Sequence, residues 1–251
     1  MRIGRSLPCL LLAFCLAVDL SRTVPAWAGG GGTLATPTGY RVDAQFPARS
    51  RGLSQIALLV DTRINVLVRD SMEEFYLYGF TSDTEIAQLL EKEALAEARL
   101  VLYDDQNGIA NTTELGSPFA RLRTAGPPAP DTFVLETTHG GFGQFNGVRA
   151  SLLVIDHGTV RRLSAVDDDT GTTEEIQLLR SRGSDWRILT TPRRPGSVFQ
   201  VLCRPDEADD KGFGETYITY RLEKSVWHRR QQTGRGYCTW PDGFPPLRSF
   251  P

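Results

Sequence analysis

Between residues 131 and 203 the chain alternates short apolar, β-branched runs with turn residues. The runs at 131–136, 148–155, 159–166, 175–181, 186–190 and 198–203 read as strands. Asp156-His157-Gly158 joins the second run to the third as a hairpin loop, because Gly adopts the left-handed conformation that closes such a loop. Arg182-Gly183-Ser184-Asp185 joins 175–181 to 186–190 in the same way. A parallel crossover needs a dozen or more residues, so connections this short predict an antiparallel meander. They fit a sandwich or an open, curled sheet and exclude a TIM barrel or a dinucleotide-binding fold.

Patterns on either side are less regular. Runs at 53–60 and 63–68 flank Asp61-Thr62 as a further hairpin, and 75–80 is another candidate strand. One helix is expected over 83–99. Ser82 and Glu85 form a capping box at its start, Ile86, Leu89, Leu90 and Ala94 share one face, and Glu91, Lys92, Glu93 and Glu97 point outward. Beyond Cys203, residues 204–214 are acidic and turn-like, and 216–222 pairs with 225–230 around Glu223-Lys224. The predicted fold class is therefore mainly β (α+β): an antiparallel, sandwich-like meander with one amphipathic helix.

The first 28 residues stand outside this pattern. Arg2 and Arg5 precede an apolar run from Leu7 to Val18, and Ala26-Trp27-Ala28 is a small-x-small cleavage site, the layout of a secretory signal peptide. At 12 residues the apolar run is short of the roughly 20 that a spanning helix needs. Bulky Phe14 before Cys15 argues against a lipidated cysteine. The expected organisation is a signal peptide over 1–28, a flexible Gly-rich leader over 29–40, an α+β portion over 41–123, a Pro-rich linker or loop over 124–130, and an antiparallel β portion over 131–251. The two portions could equally form one domain.

Cleavage near Ala28 removes Arg2, Arg5, Arg22 and Asp19 from 28 basic and 30 acidic residues, leaving 25 and 29. The resulting charge of −4 argues against nucleic acid as a partner, which calls for a basic field. No integral membrane segment is expected after cleavage. Cys9 and Cys15 leave with the leader, so Cys203 and Cys238 are expected to form a disulfide in an oxidising compartment, secreted or periplasmic.

The candidate chemistry is sparse. Asp105, Asn107, Gly108 and Glu114 partly match a calcium loop, but Tyr103 stands where the first carboxylate belongs. Asn107-Gly108 instead predicts a hairpin turn, with both residues supplying positive backbone angles. Asp167, Asp168 and Asp169, with Glu174 and Glu175, form the densest acidic cluster and a weak candidate for a hard cation. His139-Gly140-Gly141-Phe142-Gly143 resembles a Gly-rich oxyanion turn, yet no Gly-x-Ser-x-Gly nucleophile elbow accompanies it. His139, Trp227, His228 and Trp240 are the weak ligand-binding candidates. Trp186, Trp227, Trp240 and Tyr237 could form a sugar-stacking platform, whereas aromatic residues in strands generally serve core packing. The Pro-rich tail from Pro241 is expected to act as a strap held by the disulfide.

No cofactor or metal is called for. The composition and motifs favour an exported, non-catalytic binding or assembly module whose partner is another envelope or secreted protein. A secreted hydrolase with a non-local site and a calcium-stabilised or glycan-binding module are the alternatives.

Overall fold

The computed structural model describes residues 33–64, 95–126, 131–138, 147–191 and 194–251, and their fifteen strands form three sheets. Sheet A holds β1 (Tyr40–Ser50), β2 (Leu53–Asp61), β3 (Arg99–Asp104) and β4 (Ile109–Glu114), in that spatial order. Sheet B has the order β11-β7-β6-β5, comprising β11 (Gln177–Arg180), β7 (Val148–Asp156), β6 (Thr132–Thr138) and β5 (Ala120–Thr124). The short β8 (Thr159–Arg162) also pairs with β7. Sheet C runs β10 (Thr173–Glu175), β9 (Ser164–Asp167), β15 (Val226–Gly236), β14 (Gly212–Glu223), β13 (Arg194–Asp209) and β12 (Asp185–Thr191).

The sheets stack in three layers with B in the middle, because the period-two alternation of B is apolar on both faces. Leu122, Phe133, Leu135 and Leu153 pack against Ile56, Leu58, Leu100 and Leu102 of sheet A. Val134, Ala150, Leu152 and Leu178 face the other way, onto Trp186, Val198, Ile218 and Trp227 of sheet C. The outer two sheets are covered in turn. On sheet A, Leu34, Tyr40 and Val42 lie over Ala57, Leu59, Val101 and Tyr103. On sheet C, the tail residues Phe244 and Phe250 lie over Phe199 and Val201.

Mainly antiparallel β architecture is as the pattern predicts, with several differences in detail. Of the expected helix, 83–94 lie outside the described residues, while 95–98 are not helical and Arg99 opens β3. Sheet pairing overrides helix propensity there: the Ala98 N–H donates to the Ser117 carbonyl and the Ala98 carbonyl accepts from the Leu115 N–H. Among the described residues the one helical turn is a 3₁₀ turn at Leu247–Ser249. The strand expected at 63–68 falls largely outside the described residues, as does 75–80, and β2 pairs instead with β1 and β3.

The run expected at 159–166 is two strands in two sheets. Leu163 breaks it, packing its side chain into the B/C core while its N–H donates to Leu152 and its carbonyl accepts from Ile176. The turn expected across Arg182–Asp185 is formed, closed by the Ser181–Ser184 bridge, but its flanking strands part: β11 pairs with β7 in B, and β12 pairs with β13 in C. The meander is also not wholly antiparallel, since β9 runs parallel to β15. Residues 204–209 continue β13 rather than forming a turn, because Arg204 pairs with Gly214 and Asp209 with Gly212 on β14. The end of the expected flexible leader is tied down: Leu34 packs on sheet A and the Tyr103 hydroxyl donates to the Ala35 carbonyl at 3.0 Å.

Other turns fit their residues. His157 and Gly158 both take positive φ in a two-residue β7–β8 loop, as do Lys224 and Ser225 between β14 and β15. At the β3–β4 turn Asn107 is left-handed, and Gly108 leaves room for the Asp104 carboxylate, which would have to shift from a Cβ placed 2.9 Å away. Residues 32–251 form one compact unit. Among the described residues no helix is long and apolar enough to cross a membrane. The Cys203–Cys238 disulfide is formed and fits the oxidising conditions of an extracellular or periplasmic setting.

Candidate functional site

The densest convergence of charged and aromatic side chains is a corner between sheets B and C. On β5, Ala120 and Leu122 enter the A/B core, so the intervening Arg121 and Arg123 project from the opposite face. On β6 the same alternation sends Glu136 to that face beside Val134, with Arg121 directly across the ladder. Arg180 at the end of β11 reaches Glu136 from the other side, and Trp186 of β12 closes the corner from sheet C.

Glu136 is buried, with a side chain 5% exposed, while Arg121, Arg123 and Arg180 are 33%, 42% and 30% exposed. Their guanidinium nitrogens lie 3.9, 3.4 and 3.4 Å from the Glu136 oxygens. Saturated charge-assisted bonds are shorter, about 2.7–2.9 Å, so one carboxylate holds three guanidinium groups loosely. Arg180 also meets Asp185 at 3.0 Å. Arg123 and Arg180 both lie over the Trp186 ring, 4.8 and 4.9 Å from its centre. Arg121, Arg123 and Arg180 thus converge on Glu136, with Asp185 beside Arg180. The arrangement gathers three guanidinium groups around one buried carboxylate. Its sequence signal is the Arg-x-Arg alternation in β5 opposite an acid in β6, which becomes visible once the two strands are known to pair.

The acidic cluster at Asp167–Asp169 serves the chain itself. One Asp167 oxygen accepts the Asp169 and Thr170 N–H groups, each at 3.0 Å, and the other oxygen holds Arg229. Asp168 accepts from His228 Nδ1 at 2.8 Å and from Arg230 Nε at 2.6 Å. Both carboxyls are held below the usual range, Asp167 chiefly by the Thr170 N–H and Asp168 chiefly by Arg230, then His228. These bonds fasten the β9–β10 loop to β15. Asp105 and Asn107 sit in the β3–β4 turn, while Glu114 is at the far end of β4, bonded to Arg99 at 3.0 Å. Among the described residues no three His, Cys, Asp or Glu side chains are grouped to hold a metal ion.

His228 has an acid partner, and its ladder neighbours are Arg221 and Val166, with no serine or cysteine among its described hydrogen-bond partners. His139 lies outside the described residues. Trp227 is buried in the B/C core beside a gap of about 10 Å³ shared with Leu152, Ile188 and Val198, room for a single water at most. Trp240 packs on the opposite face of sheet C, and Tyr237 is 68% exposed. The four aromatic residues therefore do not assemble one platform.

The tail is strapped across sheet C. Phe250 stacks on Phe244 and meets Phe199 and Tyr217 edge-on, and Arg221 donates to the Pro251 carbonyl at 3.0 Å. Buried Glu215 accepts the Cys238 N–H at 3.0 Å and the Tyr217 hydroxyl. Burial, and then the neighbouring Glu215, push the Tyr217 phenol well above its usual pKa.

One further surface is uncovered among the described residues. β4 is the outer strand of sheet A among the described residues, and five of its six residues are exposed. The Leu115 N–H donates to Ala98, which makes every second pair outward from there a hydrogen-bonded one. Thr112, opposite Val101, falls on the alternate set, so its N–H and carbonyl face away from β3. Of the other outer strands, β1 carries Pro47, β5 has two arginines and β10 is three residues long, while β11 and β12 end sheets B and C without Lys or Pro. β4 carries neither Lys nor Pro.

Comparison with protein-family models, with curated proteins and with solved structures found no match to this chain.

Proposed function

We propose that the protein is an exported, non-catalytic binding or assembly module of the cell envelope. Its N-terminal pattern is that of a cleaved secretory leader, and its disulfide suits an oxidising compartment. The observation that carries the reading is the open edge of β4: an exposed, Thr-rich strand without the usual protection, to which an extended segment of another envelope or secreted protein adds as a fifth strand. The candidate cation and ligand groups Asp167, Asp168 and His228 are engaged in ion pairs that fasten the β9–β10 loop to β15.

Cross-linking the tagged mature protein in its native exported compartment, followed by mass spectrometry, tests the proposal. A specific partner cross-linked through β4 and lost when β4 is altered supports it. Good expression without any specific partner refutes it.

A further inference from the structure

We infer that the β3–β4 turn is a covalent modification site, in which Asn107 cyclises onto the Gly108 nitrogen and loses its side-chain amide, and that Asp104 is the positioning residue that holds this reaction back. The inference stands whether or not a strand docks on β4.

Asn107 and Gly108 pair the two groups that an intramolecular imide needs: a side-chain amide carbon, and a following backbone nitrogen that no Cβ shields. The turn itself selects both residues. Asn107 takes a φ of 63°, a left-handed angle that Asn tolerates. At position 108 a Cβ would stand 2.9 Å from an Asp104 carboxylate oxygen. In the reaction the Gly108 nitrogen attacks the Asn107 Cγ and the bond from Cγ to the amide nitrogen breaks. Ammonia leaves, carrying the proton that Gly108 gives up. Water then opens the imide at either carbonyl, giving aspartate or isoaspartate. Residues 104–108 are half-buried or exposed, so water reaches them.

The fold opposes the first step. The Gly108 N–H donates to Asp104 Oδ1 at 2.8 Å, and the Gly108 carbonyl accepts the Asp104 N–H at 2.9 Å. Turning the 107–108 peptide toward Cγ breaks both bonds. The nitrogen must also shed its proton, and a negative charge there is disfavoured beside a carboxylate. Asp104 is itself fixed: its carbonyl accepts the Ser54 hydroxyl at 2.6 Å and the Asn107 N–H at 3.1 Å, and Oδ1 also takes the Gln106 N–H at 2.8 Å. Reaction would alter the anchoring of the leader as well, because the Asn107 carbonyl accepts the Ala35 N–H at 3.3 Å.

The experiment incubates the full mature protein at mildly alkaline pH, folded and in concentrated urea. Peptide mapping by mass spectrometry and enzymatic detection of isoaspartate follow residue 107. The expected result is slow conversion in the folded protein and fast conversion in urea. Asp104→Ala should speed conversion of the folded protein about tenfold or more, the scale of one charge-assisted hydrogen bond. Asp104→Asn, which keeps an acceptor without the charge, should fall between Asp104→Ala and the wild type. Asn107→Gly retains the left-handed angle and should abolish the signal. Asn146-Gly147, the other Asn-Gly pair in the chain, falls on a separate tryptic peptide, and its rate should not respond to Asp104. Melting curves establish that each variant folds; if Asp104→Ala does not, Asp104→Asn carries the test. Equal rates in folded and unfolded protein, no acceleration in the Asp104 variant that folds, or an equal rise at Asn146 overturns the inference.

Discussion

Leu152 and Leu153 are adjacent on β7 and belong to different hydrophobic cores: Leu152 faces sheet C and Leu153 faces sheet A. Both are almost completely buried, at 1% and 2% exposure. In a two-layer sandwich one of two neighbouring strand residues faces water, so this pair is the local signature of a middle sheet. Leu152→Ala and Leu153→Ala are each expected to destabilise by about 2–5 kcal/mol, the range for truncating a buried leucine. Urea denaturation of the two variants checks this. A near-neutral result for either would mean that its face of sheet B is not covered.

The disulfide closes a loop of 35 residues around the β13–β14–β15 ladders and anchors the strap. Cys238→Ser is expected to lower stability by about 3–4 kcal/mol on the chain-entropy account. It should also speed tryptic cleavage after Arg248, which the strap holds near the sheet. Both effects should be reproduced by reducing the wild-type protein. Unchanged melting and proteolysis would show that packing of Phe250 alone holds the tail.

Asp61 is buried and accepts Arg63 Nη2 at 2.6 Å, Arg63 Nε at 3.0 Å and the Ala96 N–H at 2.9 Å. The Arg63 bond, chiefly, holds its carboxyl far below the ordinary carboxylate range. Because the folded pKa is depressed, the stabilisation is fully present above the unfolded value of about 4 and is lost as pH falls below it. Asp61→Asn is therefore expected to reduce stability at neutral pH and to flatten the acid limb of the stability profile. Denaturation midpoints measured across the acid range decide the matter.

Thr112→Pro removes an N–H that points away from β3, so the β3–β4 ladder is retained. The variant should melt close to the wild type and lose its cross-linked partner. A variant that folds normally and still captures the partner would exclude β4 as the docking edge.

Several elements are legible in the amino-acid sequence. The β6 run, the His157-Gly158 turn and the pairing of Cys203 with Cys238 each depend on residues that specify a local geometry or leave no other partner, whereas the last hairpin, expected around Glu223-Lys224, turns one residue later at Lys224-Ser225. β1 is not legible as a strand although Val42, Ala44, Phe46 and Ala48 alternate, because Pro47 and the charged residues between them resemble a loop; Pro47 is tolerated on an outer strand. The arginine corner is not legible either. Arg121 and Arg123 are ordinary surface arginines until β5 lies beside β6, and Trp186 reaches them from a different sheet.

Sequence alone determined that the chain is built of short strands, where several of its tight turns fall, and which two cysteines remain to be joined. These follow from side-chain period, from which residues tolerate positive φ, and from counting. Tertiary structure decided which sheet each strand enters. Leu163 and the 181–184 turn direct continuous β-prone runs across from B to C, and nothing in a period of two distinguishes a strand that stays in its sheet from one that leaves it. That choice belongs to distant partners competing for the same backbone hydrogen bonds and apolar faces. It also brings together Arg121, Arg123, Glu136, Arg180 and Trp186, which lie up to 65 residues apart in the chain.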